Sequence, residues 1–211
     1  MVICCYSSIE NQWSGQDLSD KLALLPGKLQ DEAMRKRLWV DRQLSISGKL
    51  LLKEVLHQFG MEQVSLSDLK YNSYHRPYFD THFDFNIAHS GNIVICCGTD
   101  NGKVGIDIEK INPIELSDYT DYFTPNEWGI IRNYPNQFDG FYDFWTRKEA
   151  VLKAIGTGFH TPLFSVDVAN NTIAYDGISY HIQKLDVVKG YQCHMATSEK
   201  TGNVKLLSVN I

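Results

Sequence analysis

Hydrophobic spacing divides the chain into predicted helices and strands. Apolar side chains at helical spacing predict one helix over residues 41–59, which stops at Gly60, and another over residues 137–155, which stops at Gly156. A shorter basic helix is predicted to follow Gly27. Alternating segments predict strands, and those of the last fifty residues are expected to be antiparallel. The predicted strands are 1–9, 83–88, 93–98, 103–109, 165–168, 172–175, 180–185, 192–196 and 204–209.

The side chains of residues 124–127 also predict the start of a helix. Thr124 can cap a helix, Pro125 suits its first position, and Glu127 completes a capping box. Strands and helices are mixed in both halves of the chain, with no long parallel β-α-β run. The pattern therefore predicts the α+β class.

Composition narrows the possible functions. The chain has 211 residues, of which 43% are hydrophobic and 21% charged, so a disordered chain is excluded. Its net charge of −5 argues against a dedicated nucleic-acid binder. Its apolar runs are far shorter than the ~18 residues of a membrane span, and the N-terminus lacks a signal-peptide pattern, so a cytoplasmic protein is expected. The five cysteines are predicted to be small buried side chains rather than metal ligands.

The predicted strand 103–109 carries two acids on one face. Gly105, Asp107 and Glu109 alternate with apolar residues, and positions two apart on a strand are separated by roughly 6.6 Å. Two such carboxylates can share Mg²⁺, and Gly105 is expected to leave open space beside them. The spacing alone favours a solvated acidic strand edge over a metal site, and the metal site stays open as the alternative.

The predicted helix 137–155 carries Glu149 and Lys153 four residues apart. Such a pair is often only a surface ion pair worth a few tenths of a kcal/mol. At the edge of a buried face, however, a glutamate can bind a metal or accept a proton, and a lysine can hold phosphate.

Two further groups could bind an anion. The predicted strand 83–88 stops at Ala88, and the following His89, Ser90 and Gly91 are expected to form a loop whose donors face an anion. Basic side chains that could converge on phosphate, or simply face solvent, precede that strand. They are Lys28, Arg35, Lys36, Arg37, Arg42 and Arg76.

Taken in order, these motifs resemble the 4'-phosphopantetheinyl transferases, of the larger type that activates surfactin synthetase. The resemblance covers about residues 70–165. Its motifs are Arg76-Pro77-Tyr78, Phe85-Asn86-Ile87-Ala88-His89-Ser90, Val104-Gly105-Ile106-Asp107-Ile108-Glu109, Phe123-Thr124 with Glu127-Trp128, Phe144-Trp145-Thr146-Arg147-Lys148-Glu149-Ala150, Lys153 and Gly156-Thr157-Gly158.

The resemblance implies a fold and a reaction. The fold is two similar α+β halves, here residues 1–103 and 104–211, related by a pseudo-two-fold axis with the ligand in the cleft between them. The reaction moves the phosphopantetheine arm of coenzyme A onto a serine of an apo carrier protein and releases 3',5'-ADP. The implied partners are coenzyme A and acyl, polyketide or peptidyl carrier proteins, and larger members of the family are usually monomers.

The resemblance also implies roles for individual residues. Glu149 is the candidate base, directly or through a metal-bound water, and it acts with Lys153 and Asp107. The implied Mg²⁺ ligands are Asp107, Glu109 and Glu149. The implied coenzyme A contacts are Lys28, Arg42, Arg76, His89, Ser90 and Lys153. Ala88 departs from the serine that is common in the family, which affects the expected phosphate contacts.

Two other functions compete with this one. One Asp, two Glu and one Lys would also suit a metal-dependent nuclease, although the acidic balance and the His-Ser-Gly segment count against it. A non-catalytic binder of coenzyme A or a carrier protein is the other alternative, against which the intact acidic set speaks. No nucleic-acid or membrane partner is expected.

Overall fold

The computed structural model describes the backbone of residues 1–211 and every side chain except that of Phe159. It confirms the α+β class. The α-helices are α1 (Gly15–Ala23), α2 (Gly27–Met34), α3 (Trp39–Gln58), α4 (Pro125–Arg132) and α5 (Gln137–Ile155). The strands are β1 (Val2–Ser8), β2 (Lys70–Tyr71), β3 (Pro77–Tyr78), β4 (Asp84–Ser90), β5 (Ile93–Thr99), β6 (Val104–Lys110), β7 (Thr172–Tyr175), β8 (Ile178–Lys184), β9 (Tyr191–Thr197) and β10 (Val204–Ser208). In the part of the chain so described, no helix is long and apolar enough to cross a membrane.

The larger strands form two four-stranded sheets within the described chain. The first has the order β10-β1-β5-β4 and the second the order β6-β9-β8-β7. Neighbours are antiparallel except β10, which pairs in parallel with β1. The prediction of antiparallel strands at the end of the chain is therefore confirmed for β7, β8 and β9 and wrong for β10. Alternation identifies a strand but not its partner, and β10 joins the first sheet although it follows the predicted boundary at residue 103.

The predicted strand 165–168 is wrong for an identifiable reason. Leu163–Ser165 forms a short 3-10 turn, and the next residues run on without a strand partner. The carbonyl of Val166 accepts a hydrogen bond from Lys148, and the amide of Val168 donates to Glu127 at 2.8 Å. A buried ion pair therefore takes the backbone groups that a neighbouring strand would have used.

Each sheet is covered by one long helix. Leu51, Leu52 and Val55 of α3 are fully buried against the first sheet, and the chain turns at Gly60 with φ +67°. Helix α5 covers the second sheet and ends at Gly156, which has φ +85° as a C-cap. Helix α5 matches its predicted span, and α3 begins two residues before its predicted start and ends one residue before its predicted end, because both apolar faces repeat at helical spacing.

The capping box at the start of α4 is confirmed. The hydroxyl of Thr124 accepts a hydrogen bond from the amide of Glu127, and the Glu127 carboxylate accepts one from the amide of Thr124. Helix α1 was not predicted from its hydrophobic pattern. Its start is marked by Ser14, whose side chain accepts a hydrogen bond from the amide of Asp17.

The two sheets meet along a seam between the edge strands β4 and β6. Their apolar sides share buried residues from both sheets, which include the free cysteines Cys4, Cys97 and Cys193. All five cysteines are buried and free, which confirms their predicted role. The division into residues 1–103 and 104–211 stays a prediction, as does the pseudo-two-fold axis.

Candidate active site

The acidic strand β6 places its two carboxylates toward α5. The apolar residues Val104, Ile106 and Ile108 face the first sheet, so Gly105, Asp107 and Glu109 take the opposite face, as predicted. The expected open space at Gly105 is wrong. A Cβ atom there would overlap the backbone of α5 at Ala150 and Ala154. Glycine is needed because the helix lies directly on the strand.

This close approach brings α5 side chains to the acids. The ammonium of Lys153 lies 2.6 Å from Asp107 Oδ1 and forms an ion pair with it. Glu109 Oε2 accepts a hydrogen bond of 2.6 Å from the Ser90 hydroxyl. Glu149 precedes Lys153 by about one helical turn. We call these four charged residues, Asp107, Glu109, Glu149 and Lys153, the β6–α5 cluster.

Two carboxylate oxygens of the cluster are buried and unsatisfied. Asp107 Oδ2 and Glu149 Oε1 have no hydrogen-bond partner among the described atoms. A buried carboxylate oxygen without a partner is costly, because its hydration is lost and not replaced. These two atoms are therefore the strongest sign that the cluster is built to receive a positively charged or hydrogen-bonding ligand.

The pKa values in the cluster are shifted in a consistent way. Burial raises the pKa of Asp107, and the nearby Lys153 opposes the shift. Burial and the charge of Asp107 raise the pKa of Glu149, and burial raises that of Glu109 although its bond from Ser90 opposes this. Burial works against the ammonium of Lys153, but the three carboxylates together raise its pKa. The acids thus repel one another around a single cation.

The donor set fits a magnesium ion. Among the described residues, no three His, Cys, Asp or Glu side chains stand close enough to form a ready metal site. Lys153 and Ser90 instead each occupy one carboxylate oxygen. The unsatisfied oxygens of Asp107 and Glu149 are hard ligands of the kind that Mg²⁺ prefers. The three predicted metal ligands stay a prediction that the chemistry of these atoms supports.

His89 lies beside the cluster, but not in the predicted loop. Strand β4 continues through His89 to Ser90, and the turn begins at Gly91, which has φ +56°. The expected anion-binding loop is therefore wrong, because pairing with β5 continues to Ser90. Desolvation and the charge of Lys153 lower the pKa of His89, and Asp41 opposes this. At neutral pH this imidazole is a neutral hydrogen-bonding group.

Two charged residues at and just before the start of α3 share this side of the molecule. Lys36 and Asp41 act on the pKa of His89, together with Lys153 and Asp107. Asp41 was not among the predicted site residues, and its place in the first turn of a helix was the one signal for it. The end of β4, the start of α3 and the β6–α5 cluster therefore face a common region.

Arg76 is committed to bonds within the protein. Its guanidinium lies 2.7 Å from Asp84 Oδ2 and also donates to the carbonyls of Val104 at 2.9 Å and Ala154 at 3.5 Å. It thereby ties β4, β6 and the end of α5 together. Its predicted contact with phosphate stays a prediction, and its Nε has no partner among the described atoms.

Lys28 and Arg42 are not tied to the cluster. Lys28 Nζ lies 5.1 Å above the ring of Tyr71, and Arg42 donates to the carbonyl of Lys36 at 3.1 Å. Within the described structure, neither residue makes a hydrogen bond or ion pair with a residue of the cluster. Their predicted contacts with coenzyme A stay predictions.

A second polar network, between α5 and β9, was not anticipated. The hydroxyl of Thr146 pairs with His194 Nδ1 at 2.8 Å, and His194 Nε2 lies 3.9 Å from Asp143. Burial lowers the pKa of His194 to about 4. His194 pairs with Asp107 in the register of β9 and β6. Opposite residues of an antiparallel pair share a face, so the network lies beside Asp107, on the side of the sheet that α5 covers.

Comparison with known proteins places these residues in context. A family model of the 4'-phosphopantetheinyl transferase superfamily matches residues 103–195, which contain the whole cluster. The chain is 32% identical over 161 residues to the 4'-phosphopantetheinyl transferase gsp of Aneurinibacillus migulanus, an alignment that covers 72% of this chain and 68% of that protein.

Other relatives carry the same name. The chain is 34% identical over 136 residues to the 4'-phosphopantetheinyl transferase Sfp of Bacillus subtilis strain 168, over 61% of this chain and 58% of that protein. A putative 4'-phosphopantetheinyl transferase of Haemophilus influenzae is 32% identical over 162 residues, with 72% and 67% covered. The alignments thus span 58% to 68% of these relatives. They confirm the resemblance drawn from the sequence motifs and lend no support to the nuclease or the inert binder.

Proposed function

Because the chain belongs to the 4'-phosphopantetheinyl transferase superfamily, we propose that it transfers the phosphopantetheine arm of coenzyme A to a serine of an apo carrier protein. The observation that carries this proposal is the pair of buried, unsatisfied oxygens on Asp107 and Glu149 beside the ammonium of Lys153. A diphosphate needs positive charge and hydrogen-bond donors around it, and this cluster can supply both once a cation is bound.

The chain's own residues divide the chemistry between them. The oxygen of the carrier serine forms a bond to the phosphorus that carries pantetheine, and the bond from that phosphorus to the bridging oxygen breaks. The electron pair of the broken bond leaves with 3',5'-ADP. Glu149 accepts the serine proton, a role open to a carboxylate placed one helical turn before Lys153 on α5.

Lys153 stays charged throughout this step. Its pKa is raised by three carboxylates, so its ammonium stabilises negative charge on the departing phosphate rather than giving up its proton. Asp107 holds the ammonium in place at 2.6 Å. His89, at the end of β4, offers a neutral donor for the phosphates of coenzyme A, and Lys36 adds positive charge on the same side.

Magnesium would be held by Asp107, Glu149 and Glu109. When bound, this ion neutralises charge on the diphosphate under attack. The reducing cytoplasm is the compartment we propose, because the chain keeps five free thiols. A monomer acting on acyl, polyketide or peptidyl carriers completes the proposal.

The test is intact mass spectrometry of an apo carrier protein incubated with the chain, coenzyme A and Mg²⁺. The expected result is a mass gain of one phosphopantetheine arm, which EDTA prevents. Lys153→Gln should lower the rate at least about 100-fold, whereas Lys200→Gln, a change at an exposed residue outside the cluster, should not. No mass gain on any of the three carrier classes by the folded chain would reject the proposal.

A further inference from the structure

The single hydrogen of the Ser90 hydroxyl is used inside the protein. The hydroxyl donates its hydrogen to Glu109 Oε2 at 2.6 Å and accepts a hydrogen bond of 3.1 Å from the amide of Lys110. A serine hydroxyl has one hydrogen to give. Because a phosphate oxygen needs a donor, Ser90 cannot bind phosphate while it donates to Glu109. This departs from the role that the family resemblance implied for Ser90.

Ser90 is also held firmly in position by the seam between β4 and β6. Two earlier side chains of β4 bind amides of β6: Asp84 accepts from Val104 at 2.8 Å, and Asn86 accepts from Ile106 at 3.0 Å. Ser90 continues this ladder, so its hydroxyl is fixed relative to the strand that carries Glu109. Its bond to Glu109 is therefore one of the side-chain hydrogen bonds that join β4 to β6.

The turn after Ser90 is anchored as well. The Tyr191 hydroxyl donates to Asn92 Oδ1 at 2.8 Å, and a Cβ atom at Gly91 would overlap that hydroxyl. Gly91 also has φ +56°, which favours glycine. Both neighbours of the Ser90 hydroxyl, the strand before it and the turn after it, are thus held in place.

We propose that Ser90 is a positioning residue that orients Glu109 for cation binding. The hydrogen bond occupies one carboxylate oxygen and leaves the other for the ion, and it fixes the plane of the carboxylate. This inference rests on the proposed function, because it assumes that the β6–α5 cluster binds a divalent cation. Hydrogen-bond partners of metal ligands commonly contribute 10- to 100-fold to metal affinity.

The experiment measures Mn²⁺ binding by calorimetry and electron paramagnetic resonance, with no coenzyme A and no carrier present. Ser90→Ala should weaken Mn²⁺ binding about 10- to 100-fold, and Ser90→Thr, which keeps the hydroxyl, should restore most of it. The matched control is Ser8→Ala, which removes an equivalent serine–glutamate bond of 2.8 Å to Glu10 outside the site and should change nothing.

A second measurement separates orientation of Glu109 from phosphate binding. Coenzyme A affinity without metal should be the same in Ser90→Ala as in the unsubstituted chain. Weaker coenzyme A binding with unchanged Mn²⁺ affinity would overturn the inference, and so would a failure of the unsubstituted chain to bind Mn²⁺. Because these readouts need no transfer, an unsubstituted chain that binds Mn²⁺ but transfers nothing contradicts only the proposed function.

Discussion

Helix α5 carries two lysine–carboxylate pairs that differ in how completely their polar atoms are hydrogen-bonded. Lys148 lies 2.9 Å from Glu127, and it also donates to the carbonyls of Leu163 and Val166. The Glu127 carboxylate accepts from two backbone amides besides. Both side chains of this pair are 0% exposed, and their polar groups are paired with one another and with the backbone.

The pair five residues further along the helix is left incomplete. Lys153 lies 2.6 Å from Asp107 and its side chain is 28% exposed, while oxygens of Asp107 and of the nearby Glu149 have no partner among the described atoms. A polar network that is only partly satisfied costs folding free energy. The polar groups of the saturated pair are already used within the fold, whereas the unsaturated pair has oxygens that a ligand can still bind. The two pairs differ in whether their polar atoms all have hydrogen-bond partners, whereas the distance between the charges is similar in both.

The largest effect is expected at the saturated pair. Lys148→Met should lower the free energy of unfolding by about 3–5 kcal/mol, because Glu127 is left as a buried charge without its cation. Adding Glu127→Gln should recover a large part of this loss, since a neutral amide can still accept from Val168. Urea unfolding measures both variants. A loss below about 1 kcal/mol for Lys148→Met would contradict the structural role.

The same kind of change at the unsaturated pair should affect the reaction instead. Asp107→Asn should lower the transfer rate about 100- to 1,000-fold, because Lys153 loses its partner and the cation loses a ligand. Its unfolding midpoint should stay within a few degrees of the unsubstituted chain. Intact mass spectrometry gives the rate, and Asp186→Asn, at an exposed residue, is the control. Unreduced transfer by Asp107→Asn would remove Asp107 from the site.

The sequence predicted the regular elements better than their arrangement. Spans such as α3 and α5 follow from apolar spacing and terminal glycines, which are local properties of the chain. The parallel pairing of β10 with β1 depends on a partner about 200 residues away, which no local pattern encodes. Likewise, residues 165–168 alternate as a strand does, but their backbone groups serve Lys148 and Glu127.

The sequence predicted which residues belong to the candidate site, but it did not predict how they are arranged in space. The period of two on β6 and the spacing of four on α5 identified Asp107, Glu109, Glu149 and Lys153. Helix–strand contact through Gly105 decides that these residues meet. Arg76 and Ser90 illustrate the limit, because the sequence does not reveal the bonds that their side chains make to Asp84 and Glu109, which follow from the packing of β4 on β6.

A smaller effect on stability should come from the polar network between α5 and β9, which contains Thr146, His194 and Asp143. The pKa of His194 is about 4 in the fold, because burial disfavours its charged form despite Asp143 nearby, and about 6.5 in an unfolded chain. Between these values the unfolded chain binds a proton that the folded chain does not. The contribution of His194 to the free energy of unfolding is therefore fully present above pH 6.5. It is lost as the pH falls, so the protein is less stable by about 2 kcal/mol at pH 5.

His194→Gln should flatten this part of the stability curve, since the amide can still form a hydrogen bond with the Thr146 hydroxyl and does not titrate. The groups that face His194 are Asp143, Arg147 and Lys184. Thermal unfolding between pH 5 and 7 provides the measurement, with the exposed His82→Gln as control. If His194→Gln and the unsubstituted chain show the same pH dependence, His194 does not carry the effect.

The smallest expected effect is a change in the free energy of unfolding on Glu→Gln substitution, and its sign should differ between the two pairs. Burial and Asp107 raise the pKa of Glu149 above its value in an unfolded chain, so ionisation of this group lowers stability as the pH rises through that folded pKa. At pH 7 without metal, Glu149→Gln should therefore raise the free energy of unfolding by about 1 kcal/mol, although we expect it to abolish transfer. Glu127→Gln should lower the free energy of unfolding, because Glu127 already has its partners.

Added Mg²⁺ should stabilise the unsubstituted chain more than it stabilises Glu149→Gln. Thermal unfolding with and without Mg²⁺ measures all three, and the same sign for both glutamine variants would mean that satisfaction of the carboxylates does not distinguish the two pairs.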